Sequence, residues 1–311
     1  MSAPEEPAVT PERAWIAGIA LALAGSLWMA GLLWSARATI TGRADAEMEV
    51  TSTAYALPGA ISASLAAGAA VALAVVAAVG RGRMLGATTR FAVATGTGLV
   101  LGLLGALTVI TINTEGWVYA VAGGSVAAAA TIGGALGGFR LPRVVAAICW
   151  GAVTVFVVGV LLTFAQDVLF GVFGAGDSAA SRAGAANWYS LTQAALSGLA
   201  AGLLAYLLLR RSSLTWPWYA LSGAGPGLLL IVGEGLTRTA GSRVLQLAGR
   251  VSELELTVQQ VLSGARLNSA LIITFVGAVT AIIAVGRTLT PDPAAESIRY
   301  PDSAGTEPPA R

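Results

Sequence analysis

The stretch VVAAICWGAVTVFVVGVLLTFA, at residues 144–165, contains no Asp, Glu, Lys, Arg or His. A run of about 20 mainly apolar residues has the length that a helix needs to cross the hydrocarbon core of a bilayer. Seven other stretches of the chain have the same character. They comprise residues 14–35, 57–80, 91–112, 117–139, 188–209, 215–233 and 268–286. The sequence therefore predicts an all-α, polytopic membrane protein, with eight transmembrane helices in a Gly/Ala-rich bundle over residues 14–286.

The composition agrees with residence in a membrane and excludes several kinds of chemistry. Hydrophobic residues make up 56% of the chain and charged residues 11%; all 18 basic residues are arginine, and histidine is absent. Because imidazole is the commonest metal ligand and the usual acid–base group near neutral pH, His-dependent zinc, haem and Ser-His mechanisms are excluded. The single cysteine, Cys149, leaves no intrachain disulfide. We expect no cofactor, no metal, no enzymatic activity and, without a basic stripe, no nucleic-acid partner.

The arginines in the short connections predict the orientation of the bundle. They concentrate in the second, fourth and sixth loops, as Arg81, Arg83, Arg90, Arg140, Arg143, Arg210 and Arg211. Arginine and lysine are enriched in cytoplasmic loops, so both termini are expected in the cytoplasm. Residues 1–13 then form a cytoplasmic tail, and residues 287–311, with several Pro, Asp and Glu residues, form a disordered one. Arg-only basicity with abundant Ala and Gly fits a GC-rich genome, which indicates a bacterial plasma membrane.

Small residues at helical spacing predict close packing between helices, because they let backbones approach one another in lipid. Examples are the pairs Gly98 and Gly102, Gly133 and Gly137, and Gly198 and Gly202. Leu-Ala-Ala-Gly occurs at residues 65–68 and again at 199–202, in the second and sixth spans. An ancestral duplication of a four-helix unit would relate the two halves by an axis along the membrane normal. Chance similarity in an Ala-rich chain is the alternative.

The seventh span contains glycines and a proline that weaken a helix. Proline removes a backbone donor and clashes with the preceding turn, so a kink or a short unwound stretch is expected. Discontinuous helices line solute sites in transporters, whereas a simple packing kink is the alternative. The candidate residues for a helix break or solute site are Gly223, Gly225, Pro226, Gly227 and Glu234.

Three acidic residues lie at the ends of apolar stretches. Glu115, Asp167 and Glu234 border spans on the outer side, where we expect them to be solvated, and Arg238 follows Glu234 by one helical turn as a ready partner. The span interiors carry no charge, which argues against ion-coupled transport, since that mechanism usually places ionisable groups within the bilayer. Polar candidates there are limited to groups such as Gln193 and Ser125.

The segment between the last two spans, residues 234–267, predicts an extracytoplasmic amphipathic helix. Its apolar residues follow a heptad, with valine at position a and leucine or valine at position d, the pattern of a two-stranded coiled coil. The predicted seam comprises Val244, Leu247, Val251, Leu254, Val258 and Val261, flanked by Arg250 and Glu255. Residues 243–262 would thus pair with a second copy or with an envelope protein, or else pack on the bundle itself.

Three functions are compatible with these features. The first is a non-enzymatic assembly or scaffold subunit that acts through the outer helix and loops. The second is a permease-like transporter of a neutral or amphiphilic solute that uses the broken seventh span. The third is a membrane glycosyltransferase that uses Asp45, Glu47 and Glu49 in the first loop.

Overall fold

The computed structural model describes residues 11–41, 46–81, 86–112, 117–212, 214–242 and 253–287, and within these ranges the regular structure is entirely helical. The helices are α1 (Pro11–Thr41), α2 (Ala46–Val79), α3 (Ala87–Ile110), α4 (Trp117–Gly137), α5 (Pro142–Phe164), α6 (Gln166–Val172), α7 (Ala179–Leu209), α8 (Trp216–Thr239) and α9 (Glu253–Gly286). Eight of these, all except the short α6, are long and apolar enough to cross a membrane. The predicted all-α, multi-pass architecture is confirmed at this level. Both predicted tails lie largely outside the described residues.

The helices are longer than the apolar stretches that revealed them. Residues 36–56 were expected to form an outer loop, but α1 continues to Thr41 and α2 begins at Ala46. Similarly, α9 begins at Glu253, well before the apolar stretch that starts at residue 268. A charged residue ends an apolar run without ending a helix, since Ala, Arg and Glu are good helix formers. The predicted bounds of the first loop are therefore wrong, and the helix predicted within residues 234–267 continues without a break into the eighth span.

Contacts between helix ends define one end of the bundle. Arg37, near the end of α1, donates at 3.0 Å to the carbonyl oxygen of Thr108 near the end of α3. The hydroxyl of Tyr119, at the start of α4, donates at 2.9 Å to Glu49 Oε2 at the start of α2. Helices α1 and α3 thus end where α2 and α4 begin. Helix α8 ends toward this side of the bundle, since a Cβ on Gly233 would meet Ser62 of α2 and one on Gly241 would meet Leu57. We call this end, toward which Glu234 lies in α8, the Glu234 end.

The outer surface of the bundle is apolar, as hydrocarbon surroundings require. Large exposed side chains follow one face of α3 and one face of α7. They include Leu99, Leu103, Leu104 and Leu107 on α3, and Leu196, Leu199, Leu203 and Leu207 on α7. The helices therefore bury small residues between them and turn leucines outward, the reverse of a water-soluble bundle.

Glycines bring α2, α3 and α4 into backbone contact. A Cβ atom added to Gly68 of α2 or to Gly98 of α3 would overlap the carbonyl oxygen of Ala130 on α4. A Cβ on Gly102, one turn after Gly98, would lie 2.7 Å from the carbonyl oxygen of Ala127. The predicted small-residue contact at Gly98 and Gly102 is confirmed, and three helices converge on one turn of α4.

The same arrangement recurs among α7, α8 and α9. A Cβ on Gly202 of α7 would lie 2.5 Å from the carbonyl oxygen of Gly277 on α9, and one on Gly223 of α8 would overlap that same oxygen. Gly227, one turn after Gly223, abuts Thr274 as Gly102 abuts Ala127. We call α1 to α4 the N-terminal four, and α5, α7, α8 and α9 the C-terminal four. The matching contacts support a four-plus-four repeat, which stays a prediction.

Candidate functional site

A cavity of about 510 Å³ lies inside a ring of six helices. Following the ring, α1 contacts α2, α2 contacts α8, α8 contacts α9, α9 contacts α7, α7 contacts α5, and α5 contacts α1. We call this space the six-helix cavity. Its volume falls within the range of about 300–1,000 Å³ that is typical of small-molecule sites. The N-terminal four contribute two helices to the wall, and the C-terminal four contribute all of theirs.

The cavity wall is apolar over most of its surface and polar at a few points. Aromatic and aliphatic side chains dominate, including Trp28, Leu32, Phe156, Leu229, Leu230 and Ile273. The polar side chains that line it are Ser62, Ser190, Gln193, Ser197, Glu234, Arg266 and Ser269. Few, separated polar groups in an apolar wall are the usual composition of a ligand site, because they orient a ligand whose body is bound by apolar contact.

Glu234 is the centre of a charged cluster at the Glu234 end of the cavity. Its side chain is only 5% exposed. Oε1 accepts hydrogen bonds from Arg238 Nε at 3.1 Å and from the hydroxyl of Ser263, and Oε2 accepts one from Arg266 Nε at 2.9 Å. We call Glu234, Arg238, Ser263 and Arg266 the Glu234 cluster. Three donors therefore replace the water that the carboxylate gives up on burial.

The two arginines of the cluster have different roles. Arg238 also donates from Nη2 to the carbonyl oxygen of Ser263 at 3.2 Å, so it joins α8 to α9. It does not line the cavity. Arg266 is 33% exposed and lines the cavity, and neither of its Nη nitrogens has a hydrogen bond to the described residues. Arg238 thus joins the two helices of the cluster, whereas Arg266 presents its Nη donors at the cavity wall.

This cluster changes two sequence-based expectations. Glu234 was expected to be solvated at the bilayer boundary, but α8 continues to Thr239 and α9 covers the carboxylate, so it is buried. The span interiors were expected to be free of charge, whereas Glu234 and Arg266 lie in the candidate membrane spans Trp216–Thr239 and Thr257–Gly286. The pairing of Glu234 with Arg238 is confirmed. Arg266 was missed as a partner because it is distant in the sequence.

The Gly/Pro segment of α8 is helical, not unwound. Helix α8 runs without interruption from Trp216 to Thr239 through Pro226, so the predicted unwound stretch is wrong. Close contacts explain its sequence: a Cβ on Gly151 of α5 would lie 2.5 Å from the Pro226 ring. A Cβ on Gly225 would overlap Ile148, and one on Gly227 would overlap Thr274. Of the predicted site residues here, Pro226 and Glu234 line the cavity, whereas Gly223, Gly225 and Gly227 serve helix packing.

Trp28 contributes an unsatisfied donor beside the cavity. Its indole stacks on Phe156, with ring centroids 4.9 Å apart and an interplanar angle of 27°. Nε1 is buried and has no acceptor among the described residues. Buried polar groups are almost always hydrogen-bonded, so this donor is an exception that the contacts of the described residues do not explain.

A short polar strip crosses the wall between α7 and α9. The hydroxyl groups of Ser190 and Ser269 are 3.4 Å apart, which joins the two helices. Gln193, one turn further along α7, fits against Gly159 of α5, where an added Cβ would lie 3.1 Å from its Nε2. Gln193 was noted in the sequence as one of few polar groups within the spans. The two serines could not be identified as site residues from the sequence, since isolated serines are common in helices.

The other predicted site residues that the structure describes do not line the cavity. Leu254 and Val261 of the predicted seam are 73% and 65% exposed. Glu49 accepts the Tyr119 hydroxyl and connects α2 to α4. Val244, Leu247, Arg250 and Val251 lie outside the described residues, as do Asp45 and the side chains of Glu47 and Glu255. Among the side chains that are described, no three carboxylate, cysteine or histidine groups assemble into a metal site.

Comparison with protein-family models, with curated protein sequences and with solved structures finds no match for this chain. The cavity and the Glu234 cluster are therefore the features of this chain that bear on its function.

Proposed function

We propose that this protein is a permease-like, non-enzymatic protein of a bacterial plasma membrane, and that it binds an amphiphilic solute in the six-helix cavity. The observation that carries the proposal is the cavity itself, about 510 Å³ of mostly apolar space with a charged cluster at one end. Helices that only hold one another together fill such a space with side chains, since interiors pack as densely as organic crystals. Space of this size inside a bundle is suited to a ligand.

The chemistry of the wall favours an amphiphile over a sugar or an ion. A sugar needs many hydrogen-bonding groups, whereas most of this wall is aliphatic or aromatic. A bare cation would meet Glu234 already bonded to two arginines and a serine. A molecule with an apolar body and one polar end matches both parts of the wall.

The arginine pattern supports a proposed orientation of the cavity in the membrane. Arg81, Arg90, Arg140, Arg143 and Arg210 lie at the end of the bundle opposite the Glu234 end. By the positive-inside rule that opposite end is cytoplasmic, with both termini on the cytoplasmic side. The Glu234 cluster then belongs to the outer half of the membrane. This places the polar end of the solute near the outer headgroup layer.

Native mass spectrometry tests the proposal on protein purified in mild detergent. We expect wild-type protein to carry a co-purifying amphiphile, and Ser197→Phe to lose it, because Ser197 lines the cavity and is 2% exposed. Ser62→Leu gives a second, smaller obstruction from α2. Ser35→Phe is the matched control, since Ser35 is exposed on α1 and does not line the cavity. Equal occupancy in Ser197→Phe, Ser62→Leu and Ser35→Phe would refute binding in the cavity.

Solute movement is a separate measurement in proteoliposomes. Flux of the co-purified amphiphile should fall to the level of empty liposomes with Ser197→Phe and stay near wild type with Ser35→Phe. Gly225→Leu is unsuitable for this purpose, because its side chain would collide with Ile148 and disturb the packing of α5 against α8. Binding without protein-dependent flux would reduce the proposal to an amphiphile-binding protein.

A role in assembly is the second candidate, and the exposure of Leu254 and Val261 favours it. These residues are seven positions apart and lie on one face of α9, where they are 73% and 65% exposed. Cysteine at either position in a Cys149→Ala background should give a crosslinked dimer in membranes if that face pairs with a second copy. Gln260→Cys, exposed but off the seam, is the control. Monomer at both seam positions would remove the homodimer version.

The glycosyltransferase alternative has less to support it. Glu49, one of the three acids on which it depended, is bonded to Tyr119 and does not line the cavity.

A further inference from the structure

We infer that the ligand of the six-helix cavity is an anionic, single-chain amphiphile whose carboxylate or phosphate binds the Nη nitrogens of Arg266. This inference rests on the proposed function and narrows it from amphiphiles in general to those with a negatively charged head group. Its basis is the charge balance of the Glu234 cluster, the donors left on Arg266, and the shape of the apolar wall.

The Glu234 cluster carries an excess of positive charge. It contains one carboxylate and two guanidinium groups, and both salt bridges end on that carboxylate, at 3.1 Å from Arg238 and 2.9 Å from Arg266. One positive charge is therefore left without a counter-charge inside the cluster. Charge next to an apolar cavity in a membrane is costly unless it is paired, so an anionic ligand group would be stabilised at this point.

Arg266 is the member of the cluster that can meet a ligand. Its Nε is held by Glu234 Oε2, which fixes the plane of the guanidinium group. A guanidinium has five donors in a rigid fork, and the two Nη nitrogens at its free end match the oxygens of a carboxylate or phosphate. Arg238 has no such role, because it is bonded to Glu234 and to the Ser263 carbonyl oxygen and does not line the cavity.

The rest of the wall selects an apolar body for the ligand. Besides Arg266 and Glu234, the wall includes Leu229, Leu230 and the stacked pair of Trp28 and Phe156. The cavity is partly open, and its volume of about 510 Å³ suits one chain better than the two chains of a membrane phospholipid.

Equilibrium binding to the full-length protein in nanodiscs of a neutral phospholipid tests the inference, with empty nanodiscs as background. The probes are laurate, lauryl phosphate, lauryl alcohol and laurylamine, which share one chain and differ in the head group. We expect laurate or lauryl phosphate to bind at least about tenfold more tightly than lauryl alcohol, since a hydrogen-bonded charge contributes about that much. Laurylamine should bind weakest. The ratio of laurate to lauryl phosphate distinguishes a carboxylate ligand from a phosphate one.

Arg266→Gln tests the residue assignment. It should lower laurate affinity by about tenfold and leave lauryl alcohol affinity within about twofold, and the retained alcohol binding shows that the variant is folded. Arg266→Lys keeps the charge but loses the fork, so it should recover only part of the laurate affinity. Arg182→Gln removes the same charge from a residue at the start of α7 that neither belongs to the Glu234 cluster nor lines the cavity, and it is the matched control. An equal loss of laurate affinity in Arg182→Gln and Arg266→Gln would overturn the role of Arg266.

The head-group series also separates failure of this inference from failure of the proposed function. If lauryl alcohol binds the wild type as tightly as laurate does, or laurylamine binds tightest, the anionic assignment is wrong while the cavity still binds amphiphiles. If none of the four probes binds above the empty nanodiscs, the proposed function itself is wrong and the inference falls with it.

Discussion

The N-terminal four and the C-terminal four share their close contacts and differ in their polar groups. In the N-terminal four, Gly68 and Gly98 lie against the carbonyl oxygen of Ala130. In the C-terminal four, Gly202 and Gly223 lie against the carbonyl oxygen of Gly277. Only the second contains the Glu234 cluster, and all its long helices line the cavity. The two fours thus pack their helices in a similar way, while the charged cluster of the candidate site lies in the C-terminal four alone. The glycine contacts belong to the scaffold, and the cluster belongs to function.

The largest expected effect comes from breaking the shared contact. Gly277→Ala places a Cβ atom against the carbonyl oxygen of Gly223, so α8 and α9 must separate. We expect the free energy of unfolding to fall by about 3 kcal/mol, as for severe overpacking. Gly98→Ala should cost a similar amount in the N-terminal four, because its Cβ would overlap Ala130. Thermal unfolding of the detergent-solubilised protein measures both.

The control for these substitutions is Gly96→Ala on α3. A Cβ at Gly96 would have no atom within 4 Å, so the change should be neutral or should stabilise by up to about 1 kcal/mol through helix propensity. If Gly277→Ala unfolds at the same temperature as Gly96→Ala, the close approach of α8 and α9 is not present in the protein.

A smaller effect is expected from the cluster that distinguishes the C-terminal four. Glu234→Gln keeps the size of the side chain but leaves Arg238 and Arg266 without their counter-charge. The free energy of unfolding should fall by about 2 kcal/mol, the range of a hydrogen bond to a charged group. Denaturant titration in mixed micelles measures it. Asp167→Asn, at an exposed carboxylate on α6, should leave stability unchanged and serves as the control.

The smallest of the three effects is expected in the N-terminal four. Tyr119→Phe removes the 2.9 Å hydrogen bond to Glu49 that joins α4 to α2, and should cost about 1 kcal/mol. Tyr189→Phe is the control, because the ring of Tyr189 meets Phe170 edge-on at 5.5 Å and that contact does not involve the hydroxyl. If Tyr119→Phe lowers the free energy of unfolding as much as Glu234→Gln does, the two polar contacts contribute equally to stability.

The features that could be predicted from the sequence are those that depend on residues close together in the chain. Eight spans follow from runs of apolar residues, and the bond between Glu234 and Arg238 follows from their spacing of one helical turn. The helix ends were misplaced because polar residues such as Arg37 continue α1 beyond its apolar stretch. The unwound stretch at Pro226 was wrong because neighbouring helices supply the contacts that hold the segment helical.

The candidate site depends on positions that only folding brings together. Arg266 lies 32 residues from Glu234 along the chain, across a segment that gave no indication of how α8 meets α9. Trp28 was recognisable only as an aromatic residue in an apolar run, and its orphan donor appears when α1 meets α5. The cavity has no sequence signal at all, since it is a space between six helices.

The six-helix cavity is also a boundary. Around its ring, the N-terminal and C-terminal fours meet where α1 contacts α5 and where α2 contacts α8. The glycine contacts at Ala130 and Gly277 each lie within one four. A rotation of one four against the other would therefore change the volume and mouth of the cavity without opening either of these contacts. The contacts that hold each four together are therefore separate from the contacts between the two fours that border the cavity.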